Sequence, residues 1–182
     1  SIWVLTSYLM ASSIVIPMID YFCHLMGRKA FFMLGVFIFT VASFLCGIAN
    51  SIGMLVVARA MQGVGGGCLM PMAQAITMES FKGEARNKAM AVFGLVVVVA
   101  PILGPVMGGW ITENWSWPYI FFINVPFGFL CIFLAKIFLE DPPYARKQKN
   151  IQLNKWGFLW LCVWLVPLQI VFDKGNDADW FN

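Results

Sequence analysis

The chain has 182 residues, of which 60% are hydrophobic and only 12% are charged. A soluble domain carries about 25% charged residues, so this composition excludes an ordinary water-soluble fold. The net charge of +3 is dispersed along the chain, whereas a nucleic-acid-binding surface needs a clustered basic face. We therefore expect an all-α membrane protein without a nucleic-acid partner.

Six apolar stretches are long enough to cross a bilayer as helices. None alternates apolar and polar residues, as a membrane β-barrel would. The predicted spans cover residues 2–23, 30–49, 52–78, 89–111, 117–139 and 156–172. The expected organisation is five spans within residues 1–139, a cytoplasmic linker over 140–155, and a sixth span with the start of an outer loop over 156–182.

The breaks between these spans alternate in charge. Nine basic residues fall in the breaks 24–29, 79–88 and 140–155, while the other breaks and the tail contain Lys174 against four acidic residues. By the positive-inside rule the basic breaks are cytoplasmic. Both ends of the chain then face outward, so we expect a further span before residue 1.

Arg59 is a charged residue well inside the third predicted span. A charge at membrane depth costs at least about 2.5 kcal/mol, which makes it a functional candidate by default. Gln62, Gly63 and Gly66 follow on the same helical face. We expect this face to contact a neighbouring helix or a water-filled cavity, and the spacing of Gly63 and Gly67 predicts close helix approach. The alternative is that Arg59 snorkels toward the outer headgroups.

Three other ionisable residues lie near the predicted cytoplasmic ends of spans. Lys136 is interpreted as snorkelling. Asp20 follows Pro17, whose missing amide donor weakens the helix, so we expect Asp20 to meet water or a basic partner in the adjacent loop. His24 is expected to be solvated, although its side chain titrates near neutrality and a pH-sensing role is the alternative.

The fourth predicted span has the most unusual pattern. Pro101 and Pro105 fall inside an uncharged stretch, and membrane helices tolerate proline only where neighbours satisfy the freed carbonyls. Ala100, Gly104 and Gly108 are four residues apart, so one face is nearly bare backbone. We expect a bent, tightly packed and conformationally important helix. A generic packing motif would explain the spacing alone.

No catalytic or metal-binding pattern is present in the sequence. The five cysteines lie one in each of five apolar stretches without short pair spacing, so neither a zinc site nor a disulfide framework is predicted. No histidine cluster, Ser-His-Asp set or carboxylate pair occurs at membrane depth. We therefore predict neither an enzyme nor a bound cofactor.

Short motifs lie in order along almost the whole chain. They are Gly27-Arg28-Lys29, then Leu55, Arg59, Gln62, Gly63 and Gly65, then Gly104-Pro105-Val106-Met107-Gly108-Gly109, then Trp117, Phe121, Asn124, Val125, Pro126 and Gly128, and finally Asp173-Lys174-Gly175 with Asp179-Trp180-Phe181. In this order they resemble the major facilitator superfamily, in particular its fourteen-span, EmrB-like drug:proton antiporters. The resemblance implies that the six predicted spans form most of one helical bundle of that fold, without its first span, together with one extra helix.

The resemblance also implies roles for individual residues. Arg59 and Gln62 correspond to a motif associated with proton coupling. In the same helix, the residues implied in packing are Gly63, Gly65 and Gly67. The cytoplasmic signature loop corresponds to Asp20, Gly27, Arg28 and Lys29. The antiporter motif, implied in packing and gating, comprises Ala100, Pro101, Gly104, Pro105, Gly108 and Gly109.

Two motifs depart from the family pattern. The signature loop normally opens with glycine and contains an acid followed by arginine, where this chain has Asp20, His24 and Leu25, so its usual charge network is not expected. The antiporter motif usually has two more glycines, replaced here by Ala91 and Ala100. Both replacements are small, so the packing expectation stands. The family's first span, with its characteristic aspartate, would precede residue 1.

The expected function is part of a proton-coupled multidrug exporter that works by alternating access. Its substrates would be small amphipathic organic compounds and protons, and its location the lipid bilayer of the bacterial inner membrane. The resemblance further implies a periplasmic adaptor protein and an outer-membrane channel as partners. The alternative is a non-transporting membrane scaffold or receptor, for which larger outer loops would be expected.

Overall fold

The computed structural model describes residues 3–140 and scattered positions between 156 and 171. This part of the chain is helical and contains no strand. Its helices are α1 (Trp3–Val15), α2 (Ile19–Met26), α3 (Arg28–Gly47), α4 (Ile52–Ser80), α5 (Gly83–Asn114), α6 (Tyr119–Phe122) and α7 (Asn124–Phe138). The all-α fold class is thereby confirmed.

Five stretches of the described residues are long and apolar enough to cross a membrane. They are Trp3–Met26, Arg28–Gly47, Ile52–Ser80, Gly83–Asn114 and Tyr119–Phe138. The described positions between 156 and 171 are helical as well. The rest of the predicted sixth span, the predicted linker after Glu140, and the tail lie outside the described residues.

The first span is interrupted at the predicted proline. A 3₁₀ turn over Ile16–Met18 contains Pro17 and separates α1 from α2. Gly27 then ends α2 and begins α3, with its amide donating to the carbonyl of Cys23 at 2.9 Å. Its φ of 90° belongs to the region that L side chains rarely adopt, so glycine is required at this corner.

Helix α4 is the centre of the packing, because its glycines let α1 and α3 approach its backbone. A Cβ atom at Gly67 would lie 2.8 Å from the carbonyl oxygen of Ser12 in α1, and one at Gly65 would lie 2.7 Å from the carbonyl oxygen of Gly35 in α3. A Cβ at Gly63 would overlap backbone of α1 in the same way. These positions admit no larger side chain without moving a helix.

Helices α6 and α7 pack against α3. Gly128 of α7 lies against the side chain of Thr40, and Gly47 of α3 lies against the ring of Phe122 in α6. Lys29 at the start of α3 also reaches α7, where its Nζ donates to the carbonyl oxygen of Lys136 at 2.9 Å. Helix α3 is therefore held between α4 and α7.

Helix α5 contains the small-residue motif for which close packing is expected. It is continuous across Pro101 and Pro105, and none of its residues is buried. A Cβ at Gly104 would meet no atom within 4 Å, and one at Gly108 would meet only Ile120, at 4.0 Å. None of the described helices covers this face, so tight packing of the antiporter motif stays a prediction.

Helix α5 also begins earlier than the apolar stretch indicated. The predicted start was residue 89, whereas the helix starts at Gly83. Its first turns are polar and include an ion pair between Glu84 and Lys88, at 3.6 Å and four residues apart. Such pairs support helical structure outside the hydrocarbon region, where hydropathy gives no signal.

Candidate functional site

A cluster of polar side chains lies inside the bundle, between the apolar faces of α3, α4 and α7. We call it the Arg59 cluster, and its members are Ser43, Cys46, Arg59, Gln62 and Asn124. Gln62 is only 2% exposed, and Ser43 and Cys46 are fully buried. Arg59 and Asn124 are half-buried. Buried polar groups in a bilayer protein are expensive unless they satisfy one another.

Hydrogen bonds join the members into one chain. Nη1 of Arg59 donates to Oε1 of Gln62 at 2.8 Å, and Nε2 of Gln62 donates to Oγ of Ser43. Nδ2 of Asn124 lies 3.4 Å from the same Oγ, and Sγ of Cys46 lies 4.0 Å from Oε1 of Gln62. Gln62 therefore has a fixed amide orientation, with its oxygen toward the guanidinium and its nitrogen toward α3.

The guanidinium of Arg59 is surrounded by dipoles and aromatic rings. Its Nε donates to the carbonyl oxygen of Val4 at 3.4 Å. Its Cζ lies 4.9 Å from the ring centroid of Tyr8 in α1 and 5.6 Å from that of Phe121 in α6. A cation over aromatic faces gains stabilisation of about 0.5–2 kcal/mol, the larger value where water is excluded.

No carboxylate of the described chain forms an ion pair with Arg59. The described acidic side chains with basic partners lie at the other end of the bundle, where Glu79 pairs with Arg28, Glu84 pairs with Lys88, and Asp20 lies 3.4 Å from His24. Arg59 lies seven residues after the start of α4, which corresponds to a depth of about 10 Å along the helix. The cluster thus holds a permanent positive charge among neutral partners, and it can stabilise a carboxylate or another anionic group brought beside it.

The face of α4 predicted from the sequence lies against helices. Gly63 contacts the backbone of α1, and a Cβ at Gly66 would lie 2.8 Å from the hydroxyl of Tyr8. Arg59 bonds to Gln62, which lies one turn farther from the near end of α4. This geometry agrees with the expectation of helix contact rather than with extension toward the nearer headgroups.

Three members of the cluster, Ser43, Cys46 and Asn124, were not predicted as site residues from the sequence. Cys46 counted there only among the five cysteines without short pair spacing. Ser43 is an uncharged residue in an apolar span, and no spacing rule distinguishes it from a packing serine. Asn124 falls in one of the family-like motifs, but no role was predicted for it. The signal that could have found it is an amide side chain in the first turn of an otherwise apolar helix.

The signature-loop residues lie at the opposite end of α4 from Arg59. Asp20 has an 88% exposed side chain and pairs with His24 on its own helix at 3.4 Å. Arg28 forms an ion pair with Glu79 at the end of α4, a partner that the sequence did not indicate. Lys136 is exposed, as its snorkelling interpretation requires. No described hydrogen bond or ring contact joins these residues, or the antiporter-motif residues of α5, to the Arg59 cluster.

Comparison with known proteins identifies the family. Residues 1–172 match the sequence profile described as the Major Facilitator Superfamily. The chain belongs to this superfamily. Its membership and the five apolar stretches among its described residues make it a multi-pass membrane protein, and its similarity to EmrB proteins indicates the bacterial inner membrane.

Its curated relatives within the superfamily include several export and resistance proteins. The chain is 36% identical over 182 residues to the multidrug export protein EmrB of Haemophilus influenzae, covering 99% of this chain and 35% of that protein. It is 36% identical to the fatty acid resistance protein FarB of Neisseria gonorrhoeae and 37% identical to multidrug resistance protein 3 of Bacillus subtilis, covering 98% of this chain in each case and 35% and 34% of those proteins. The chain thus spans about a third of the length of these relatives.

Proposed function

We propose that this chain is part of a proton-coupled multidrug exporter that works by alternating access and extrudes amphipathic organic compounds in exchange for protons. The names of its relatives support drug export. The observation that carries proton coupling is the Arg59 cluster, in which a half-buried guanidinium is held by Gln62 and aromatic rings without a carboxylate from the described chain.

Arg59 would act on an acid brought beside it during the transport cycle. By the family resemblance this acid would be an aspartate of a span preceding residue 1. A guanidinium in a low-dielectric site favours the ionised form of a nearby carboxylate. Proton release from that acid and the presence of a substrate at the same site would then be linked. Gln62 would hold the guanidinium in position, because its amide is itself fixed by Ser43.

The packing of the helices supports a rigid-body movement. The glycine contacts of α4 with α1 and α3 make these helices one unit, whereas no described helix covers the small-residue face of α5. In alternating access, bundles rock against one another around a central site. Ala100, Gly104 and Gly108 would provide a smooth surface for this movement, which is the gating role proposed for the antiporter motif. Adaptor and outer-membrane channel partners stay a prediction from the resemblance.

Transport assays in proteoliposomes test this proposal. The protein is expressed from its intact gene, reconstituted with an acidic lumen, and supplied externally with amphipathic fluorescent dyes. We expect dye accumulation that follows the pH gradient, alkalinisation of the lumen when dye is added, and loss of both with a protonophore. Dye binding without gradient-dependent accumulation would contradict export and would favour the scaffold or receptor alternative.

A further inference from the structure

A second polar site lies at the other end of the bundle from Arg59. The start of α3, the end of α4, the start of α5 and the end of α7 meet there around a cavity of about 690 Å³. We call it the basic-end cavity. Its charged lining residues are Arg28, Lys29, Glu79, Lys82, Arg86 and Glu140.

The basic-end cavity has an excess of positive charge. Four basic and two acidic side chains line it, which leaves a formal charge of +2. Glu79 is neutralised across the cavity wall by Arg28. Lys82 and Arg86 are both exposed and belong to the junction of α4 and α5. An anion entering the cavity would therefore meet Lys82 and Arg86 at the junction of α4 and α5. It would also meet the ion pair that Arg28 of α3 forms with Glu79 of α4.

The first turn of α5 adds a further attraction for an anion. Gly83, the first residue of this 32-residue helix, lines the cavity, and the preceding residue provides no side-chain cap. The amide groups of such a helix start are unsatisfied and carry partial positive charge. Together with arginine and lysine side chains, they form a suitable environment for phosphate oxygens.

Apart from Ser80 and Gly83, the remaining lining of the cavity is apolar. Phe81, Phe138 and Leu139 lie at or just beyond the ends of their spanning helices, beside the charged residues. A cavity of this volume is in the range that holds ligands much larger than a bare phosphate ion, about 300–1,000 Å³. Its occupant should therefore combine an anionic group with apolar chains, and it should be available at the membrane surface.

We propose that the basic-end cavity binds the phosphate-bearing headgroup of an acidic phospholipid. Lys82, Arg86 and the start of α5 contact the phosphate, and Phe81, Phe138 and Leu139 contact the upper acyl chains. Basic pockets between spanning helices recognise anionic headgroups in this way. The bound lipid would join α5 to the ends of α3, α4 and α7, which α5 otherwise contacts little in the described structure.

Native mass spectrometry of the purified protein, expressed from its intact gene, tests this proposal. Phosphatidylglycerol is titrated into the detergent-solubilised protein, with phosphatidylcholine of the same chains as the uncharged control. The informative variant is Arg86→Gln, and Lys88→Gln is its matched control. Both remove one positive charge from the early turns of α5, but Lys88 is paired with Glu84 and does not line the cavity.

We expect phosphatidylglycerol to bind more tightly than phosphatidylcholine, and Arg86→Gln to weaken its binding about fivefold, since a basic residue near the surface contributes about 1 kcal/mol. Lys88→Gln should leave binding unchanged, and Lys82→Gln combined with Arg86→Gln should remove the preference for the anionic lipid. Equal weakening by Arg86→Gln and Lys88→Gln, or equal binding of the two lipids, would overturn the proposal.

A soluble phosphate compound is the other source of the same chemistry. Glycerol 3-phosphate is therefore added to the phosphatidylglycerol complex as a competitor without acyl chains. If the lipid is the ligand, millimolar glycerol 3-phosphate leaves the complex intact. Its displacement of the lipid, with the same dependence on Arg86, would assign the cavity to a soluble phosphate instead.

Discussion

Arg59 donates a 2.8 Å hydrogen bond from Nη1 to Oε1 of Gln62, three residues later on the same face of α4. The acceptor is a neutral amide that is 2% exposed and is itself tied to Ser43 of α3. No carboxylate of the described residues compensates the positive charge of Arg59. The guanidinium can therefore interact with an anionic group that enters the site later.

Replacing Gln62 by leucine should destabilise the protein. The guanidinium and the hydroxyl of Ser43 would each lose a partner inside the bundle, and an unsatisfied buried polar group costs about 1–3 kcal/mol. We expect a lower free energy of unfolding in detergent. Gln74→Leu is the matched control, since Gln74 lies on an exposed face of the same helix. Equal stability of the two variants would show that the hydrogen bonds of Gln62 contribute nothing.

Gln62→Glu separates stability from coupling. The carboxylate would accept from Arg59 and from the hydroxyl of Ser43, so folding should be retained. It would also neutralise the guanidinium permanently, and a mobile acid would no longer be favoured beside it. We expect normal expression with reduced proton release per dye molecule, measured by lumenal pH in proteoliposomes. A normal proton yield would mean that the charge of Arg59 has no part in coupling.

Gly65→Ala tests the close packing of α3 and α4. The added Cβ would lie 2.5 Å from the amide nitrogen of Phe39 and 2.7 Å from the carbonyl oxygen of Gly35, both of them backbone atoms. Overpacking of this kind costs about 1–3 kcal/mol. The same change at Gly53 of the same helix meets no atom within 4 Å and should be neutral or slightly stabilising. Thermal unfolding in detergent compares the two, and equal stability would contradict the packing described.

Gly104→Leu should abolish efflux while leaving the stability of the described bundle unchanged. A Cβ at this position would meet no described atom within 4 Å, so we expect the cost to arise only when another helix approaches this face during transport. Gly94→Leu, on the same helix and equally open, is the control and should retain efflux. Efflux is measured in cells at matched expression. Full activity of Gly104→Leu would remove the gating role of the antiporter motif.

Membrane topology can be tested at two exposed helix connections. Asn50 lies between α3 and α4, and Ser80 ends α4 before the basic junction with α5. In a background without native cysteines, we expect Asn50→Cys to react with a membrane-impermeant thiol reagent in intact cells. Ser80→Cys should react only after permeabilisation. The reverse pattern would invert the orientation inferred from the basic residues.

Periodicity and local chemistry predicted those features that depend on a single helix. The apolar stretches located five spans, Pro17 marked the break in the first span, and the spacing of Gly63 and Gly67 indicated the face of α4 that contacts α1. Such patterns work because the helical repeat fixes which side chains share a face. Such patterns indicate that a helical face can contact another helix, but they do not identify that helix.

Features that depend on two distant helices were not predictable. The hydrogen bond between Gln62 and Ser43 crosses 19 positions, and the contact between Asn124 and Ser43 crosses 81. Neither serine nor asparagine carries a pattern that identifies its partner. The small residues at positions 100, 104 and 108 of α5 likewise permit the approach of a helix without identifying which helix approaches.

The proton coupling of Arg59→Ala tests the central claim most directly. Wild-type protein and the variant, both expressed from the intact gene, are reconstituted at equal density, and dye accumulation driven by an imposed pH gradient is measured beside dye binding at equilibrium. The account predicts a strong reduction of gradient-driven accumulation with a smaller change in binding, because the substrate contacts remain while the charge acting on the proton-carrying acid is gone. Undiminished gradient-driven accumulation by Arg59→Ala would contradict it and would leave Arg59 as a residue that only anchors its helix near the outer headgroups.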